Sequence, residues 1–107
     1  MTWIVDASGT QTATIGTEHV LDTISTNATY VLWVDTVNMA LSDLLELRIY
    51  YEVDAATERQ SWKGTYQNVQ LNPGKVSPPV PMTNAGKFTL KQTAGTGRTY
   101  PWQVLRI

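Results

Sequence analysis

The side chains able to do acid, base or ligand chemistry are few and widely spaced in this chain of 107 residues. His19 is the single histidine and no cysteine accompanies it, so zinc would lack its usual nitrogen and sulfur ligands. Asp35, Asp43 and Glu46 lie close in sequence and suggest either a calcium site or a carboxyl pair for acid–base work. No Asp-x-Asp-x-Asp ligand loop runs between them, and Asp43 stands where a turn or cap residue would stand. Ala94-Gly95-Thr96-Gly97-Arg98 has the glycines of a phosphate loop without the Lys-Ser/Thr that should follow. The ordinary reading is a glycine-rich hairpin joining Phe88-Thr89-Leu90 to Trp102-Gln103-Val104. No catalytic residue, metal ligand or cofactor-binding residue is assigned, and an enzyme is not expected.

The aromatic residues say more. Trp33, Tyr51, Phe88 and Trp102 fall on alternating segments and are expected in the core. Trp62 and Tyr66 flank Gly64 with a spacing of two, on one face of a strand; exposed, such a pair could stack on a sugar ring. Trp3, Ile4 and Val5 make an apolar terminal segment that either closes the domain or adds to another subunit's sheet edge.

The elements that position these residues follow from a period of two. In Tyr30 to Val37, Tyr30, Leu32, Val34 and Thr36 share one face, and Val31, Trp33, Asp35 and Val37 the other. In Leu44 to Val53, Leu45, Leu47, Ile49, Tyr51 and Val53 form an apolar face opposite a mostly polar one. Half-buried strands of this kind need an apolar cover, and with no long helical pattern available the cover must be a second sheet. Sixteen threonines and ten valines agree, since β-branched side chains suit a pleated surface.

Strands are expected at residues 2–6, 12–23, 29–37, 44–54, 58–69, 87–93 and 98–107. Turns are expected at Ala7-Ser8-Gly9 and at 54–57, and a single helical turn fits 38–43. The expectation is an all-β, antiparallel β-sandwich, one domain over residues 1–107, too small for two cores.

Residues 72–83 hold four of the five prolines. Pro78-Pro79-Val80-Pro81 removes three amide donors and cannot lie in a central strand. It reads as a surface loop, or as a stiff arm that loses little entropy on docking to a neighbouring copy. The N-terminal residues lack a basic stretch before an apolar core, and no apolar run approaches the ~20 residues that span a bilayer; neither a secreted precursor nor a membrane protein is expected. Residues 1–54 carry eight acids and one base, and residues 55–107 seven bases and one acid. The halves either interleave and cancel, or leave one acidic and one basic surface. The bases are spread without a run or a basic–aromatic cluster, so nucleic acid is not an expected partner.

Three stretches together resemble a known family. They are Thr29-Tyr30-Val31-Leu32-Trp33-Val34-Asp35; the break ending in Asp43 before Leu45-Glu46-Leu47-Arg48-Ile49-Tyr50; and Leu90-Lys91-Gln92-Thr93-Ala94-Gly95-Thr96 leading to Arg98 and Trp102. The chain resembles small virion proteins of tailed bacteriophages that look like head decoration, or cement, proteins. It has Leu41-Ser42-Asp43 where the family pattern has Ala-Gly-Asp. The resemblance implies a sandwich of jelly-roll type, made in the bacterial host cytoplasm, that binds the exterior of the capsid through the major capsid protein. It also implies a homo-oligomer, trimers being favoured. On that reading Trp3, Ile4, Val5, Pro78, Pro79, Val80 and Pro81 are the candidate interface residues. A carbohydrate-binding or receptor-adhesion module of the virion or tail is the alternative.

Overall fold

The computed structural model describes residues 2–107, which form nine strands. They are β1 (Ile4–Thr12), β2 (Glu18–Ile24), β3 (Ala28–Asp35), β4 (Leu44–Glu52), β5 (Glu58–Gln67), β6 (Gly74–Val76), β7 (Val80–Met82), β8 (Gly86–Ala94) and β9 (Thr99–Arg106). A front sheet runs β1-β9-β3-β6, with β7 also paired to β3, and a back sheet runs β2-β8-β4-β5. Every pairing is antiparallel. Counting β6 and β7 as one interrupted strand, the pairs nest: β1 with β9, β2 with β8, β3 with β6 and β7, and β4 with β5. A long hairpin rolled up in this way is the jelly-roll form of the β-sandwich.

The period of two decides which face is buried. Tyr30, Leu32 and Val34 of β3 and Leu45, Leu47 and Ile49 of β4 point inward with Phe88, Leu90, Tyr100 and Val104, all at most 1% exposed. Each such side chain contributes about 1.5–3 kcal/mol by leaving water. Trp33, half-exposed, faces outward from β3. It does not join the core, because alternation had already placed it opposite Tyr30 and Leu32. Tyr51 and Trp102 are half-buried and pack on the core's margin.

Trp62 and Tyr66 turn inward from β5 and also pack against the core. They fold over Gly64, where a Cβ would stand 2.7 Å from the Trp62 ring and 2.8 Å from the Tyr66 hydroxyl. Gly64→Ala is therefore expected to cost about 1–3 kcal/mol by overpacking, seen as a lower urea midpoint with an unchanged slope. An unchanged midpoint would show that the two rings move aside freely.

Four local expectations are corrected. Ala7-Ser8-Gly9 is no turn but the middle of β1, where Gly9 lies opposite Trp102. The 94–98 segment is no hairpin, because β8 belongs to the back sheet and β9 to the front; it crosses between the sheets at one end of the sandwich. The expected strand 12–23 is divided by a turn closed by Thr17 N donating to Thr14 O (3.0 Å). Residues 38–43 form reverse turns, with Met39 N on Thr36 O (3.0 Å) and Asp43 N on Ala40 O (3.1 Å).

The proline-rich segment lies along the outer edge of β3, Val80 opposite Tyr30 and Pro81 opposite Thr29. Between β6 and β7 the ladder is carried by Ser77, whose amide donates to Leu32 O (2.8 Å) and whose hydroxyl accepts from Leu32 N (2.9 Å). The nesting also sets strands from the acidic half beside strands from the basic half. Glu46–Lys63 (3.0 Å), Asp43–Arg98 (2.9 Å) and Asp6–Arg106 (3.2 Å) are the resulting ion pairs across the halves. The lopsided sequence charge is thereby interleaved.

Candidate functional site

The chemistry-bearing carboxylates do not converge. Asp35 is exposed on the front sheet and accepts from Val37 N (3.0 Å). Glu46 lies on the outward side of the back sheet between Arg48 (2.6 Å) and Lys63 (3.0 Å). Hydrogen bonding to Lys63, with the charge of Arg48 beside it, holds its carboxyl below the usual range. Asp43 is fully buried at the end of the sandwich. His19 Nε2 accepts from Thr14 N (3.1 Å), tying down the turn before β2.

The buried polar cluster at that end is structural. Asp43 Oδ2 accepts from Ala40 N (2.8 Å) and Arg98 Nε (2.9 Å), and Oδ1 accepts from Thr96 N (3.0 Å). Gln92, also fully buried, donates to Ala94 O (3.0 Å) and Thr96 O (2.7 Å) and accepts from Arg98 N (3.1 Å) and the Tyr100 hydroxyl (2.8 Å). Burial pushes the pKa of that hydroxyl up to about 12. Asp43, Gln92, Gly95, Thr96 and Arg98, which the sequence reading used to mark the family resemblance, are thus neighbours that lock one loop end.

The outward surfaces of the two sheets differ in kind. The back sheet is polar: Glu18 takes hydrogen bonds from Tyr50 (2.7 Å) and Thr89 (2.6 Å) and lies 3.5 Å from Arg48, and Lys87 reaches both Glu58 (3.1 Å) and the Tyr50 ring (4.9 Å). Ion pairs and hydroxyls of this sort satisfy one another and leave little to offer a partner.

Part of the front sheet is apolar. Trp3, Val31, Trp33, Val76 and Leu105 line a hollow of about 390 Å³ on its outward face. The register explains the clustering: Val31 lies opposite Leu105, Leu105 opposite Val5, and Trp33 opposite Val76. Trp33 also borders a second trough, of about 500 Å³, with Ser8, Thr10, Asp35, Pro101 and Gln103. Outward apolar surface of this kind marks an interaction site or a ligand groove.

The seven candidate interface residues lie at the two margins of this face. Trp3, Ile4 and Val5 are exposed at the β1 edge; Pro78, Pro79 and Pro81 are exposed and Val80 half-buried at the β7 edge. Residues some seventy-five positions apart are brought to one sheet, with Val31, Trp33 and Leu105 between them. The sequence reading missed Trp33, Val76 and Leu105. The outward parity of Trp33 was the available signal, whereas Val76 and Leu105 depend on strand partners. No family model, curated protein or solved structure matched this chain.

Proposed function

We propose that this chain is a structural virion protein that binds the outer surface of an assembled phage capsid and stabilises it, with the major capsid protein as its partner. The observation that supports this best is the apolar hollow on the outward face of the front sheet, opposite a back sheet that carries a network of ion pairs. The front sheet's two margins carry Trp3, Ile4 and Val5 and Pro78 to Pro81, the apolar and proline-rich segments nominated as candidate contacts. A protein that binds only the assembled lattice adds its binding free energy to the lattice's resistance to disassembly, and many copies sum.

Sedimentation with undecorated capsids tests the proposal. The chain should pellet at a saturable ratio set by lattice symmetry, and Trp33→Ala should weaken binding at least tenfold, as expected for a central aromatic anchor. Binding without saturation, or no pelleting at all, would reject the capsid surface as partner.

The second reading is a saccharide-binding module. The trough beside Trp33 favours it: an exposed indole next to Asp35, Gln103, Ser8 and Thr10 offers a stacking surface and hydroxyl partners. Trp62 and Tyr66 face the core and do not serve that role. On this reading Trp33→Ala abolishes saccharide-induced changes in tryptophan fluorescence while Trp62→Ala, if folded, retains them; an unresponsive wild type across neutral and acidic glycans rejects it.

A further inference from the structure

The side of the sandwich where β1 faces β2 is closed by two carboxyl groups. β1 is an edge strand of the front sheet and pairs with β9, and β2 is an edge strand of the back sheet and pairs with β8. No residue from Ile4 to Thr12 is buried, so β1 adds little apolar burial of its own. Its C-terminal end is fastened where buried Ala13 donates its amide to Arg98 O (2.8 Å). The N-terminal end runs out along exposed Trp3, Ile4 and Val5, and a terminal strand is mobile unless something ties it down.

Two β-bulges bring the carboxyls together there. Val5 lies opposite Leu105 and Ala7 opposite Val104, which leaves Asp6 as the extra residue of β1. In β2, Val20 lies opposite Thr89 and Asp22 opposite Phe88, so Leu21 is the extra residue and Asp22 takes the inward side with buried Phe88. A bulge re-aims a side chain and gives up ladder pairing to do so; here each sheet has one where its carboxyl meets the other. Asp6 and Asp22 hydrogen-bond to each other, which requires a proton between them. Asp22 Oδ2 is buried and no donor reaches it, so a proton shared with Asp6 is what satisfies it. The charged and titratable groups facing the pair are Arg106 of β9, whose Nε is 3.2 Å from Asp6 Oδ1, and Tyr30 of β3, whose hydroxyl is committed to Thr26 O. On β8, Lys87 turns to Glu58 instead. One base therefore serves two acids.

We infer that Asp6 and Asp22 form a proton-dependent clasp that fastens the N-terminal half of β1 across the open side of the sandwich, and that ionising the pair releases residues 4–8 from β9. Burial, followed by Asp6, pushes the Asp22 pKa from 3.8 up to about 7, so the closed strand holds the proton and the opened strand gives it up. Closure is strongest below pH ~4, weakens as pH rises toward 7, and is weakest above that. Two ionised carboxylates beside one guanidinium then repel each other, and a strand with little buried surface is the part that yields most readily. Release carries Trp3 out of the front-sheet hollow and frees the edge of β9. The clasp acts within one chain, whatever the front sheet contacts.

Amide hydrogen exchange of the full chain at pH 5.5 and 7.5, corrected for intrinsic rates, tests the clasp. The amides of residues 4–8 should become at least tenfold less protected at the higher pH, through an opening that leaves β4 closed and hardly responds to dilute urea. Asp22→Asn keeps a hydrogen bond to Asp6 without the ionisation, so residues 4–8 should keep their pH 5.5 protection at both values. Asp6→Asn should flatten the profile too, since its amide gives Asp22 a permanent donor. Circular dichroism should show both variants folded.

Residues 4–8 as well protected as β4 at both pH values would mean that β1 opens only with the whole fold, and protection independent of pH would mean that the pair does not hold the strand. Either result overturns the inference. So does a wild-type pH profile that persists in Asp22→Asn, which would place the titrating group elsewhere.

Discussion

Replacing Asp43 by alanine is expected to lower the unfolding free energy by about 3–5 kcal/mol and the melting temperature by about 15 °C or more. The carboxylate is fully buried, and burial by itself would raise its pKa. Hydrogen bonds from the Ala40 and Thr96 amides and from Arg98 outweigh that and hold it below its ordinary value of 3.8. Its contribution is therefore present above pH ~4 and is lost as pH falls through the depressed pKa. Alanine leaves two amides and a guanidinium without their acceptor, which costs more than the mean worth of a hydrogen bond.

Gly95→Ala reaches the same site from the other side. Gly95 has φ 88°, and a Cβ there would collide with Asp43 Oδ1. Both strain and collision penalise it. Urea unfolding of Asp43→Ala, Gly95→Ala and the double variant checks the account. Each single change should lower the midpoint, and the double should cost less than the sum, because removing the carboxylate removes the side-chain part of the collision and leaves only the approach to Asp43 Cα. Strict additivity would mean that the two residues do not act on one another.

Asp22→Asn is expected to stabilise the protein at pH 8 by about 2 kcal/mol, a figure discounted for the carboxyl's partial exposure. Asp22 lies on β2 at the open side of the sandwich, where β1 brings Asp6 against it. Burial, followed by the hydrogen bond and charge of Asp6, pushes the Asp22 pKa from 3.8 up to about 7. Arg106 Nε lies 3.2 Å from Asp6 Oδ1 but is misaligned for a hydrogen bond, and Asp22 Oδ2 has no hydrogen-bond partner. The buried Tyr30 also senses the two carboxyls; burial raises its pKa, and Asp6 and Asp22 raise it further against Arg106.

A pKa raised in the folded state means that the folded form holds the proton more tightly. The stabilisation is full below pH ~4, declines as pH rises toward 7, and is gone above that. Wild-type stability should fall across this window while Asp22→Asn stays nearly level, its amide donating permanently to Asp6. Denaturant midpoints at pH 5 and pH 8 decide it: a variant less stable than wild type at pH 8 would show that the pair does not share a proton.

How much of this was legible in the sequence depends on the range of the interaction responsible. The inward sets Tyr30-Leu32-Val34 and Leu45-Leu47-Ile49 were readable because strand alternation is a property of neighbouring residues. The all-β sandwich followed from them, since two half-apolar strands without helices can only cover each other. The same rule had already turned Trp33 outward, and an aromatic residue's usual preference for the core was the wrong guide. The packing of Trp62 and Tyr66 over Gly64 needed the opposing layer, which no local pattern contains.

Local periodicity thus determined the class, the strands and the buried face of β3 and β4, because side-chain direction repeats within a strand. The tertiary structure alone decided that β1 lies beside β9 and β6 beside β3. It therefore also decided that Trp3, Trp33, Val76 and Leu105 form one surface, and that Asp43 meets Arg98. Those pairings come from rolling a long hairpin on itself, and the burial that drives the rolling is shared by residues far apart in the chain.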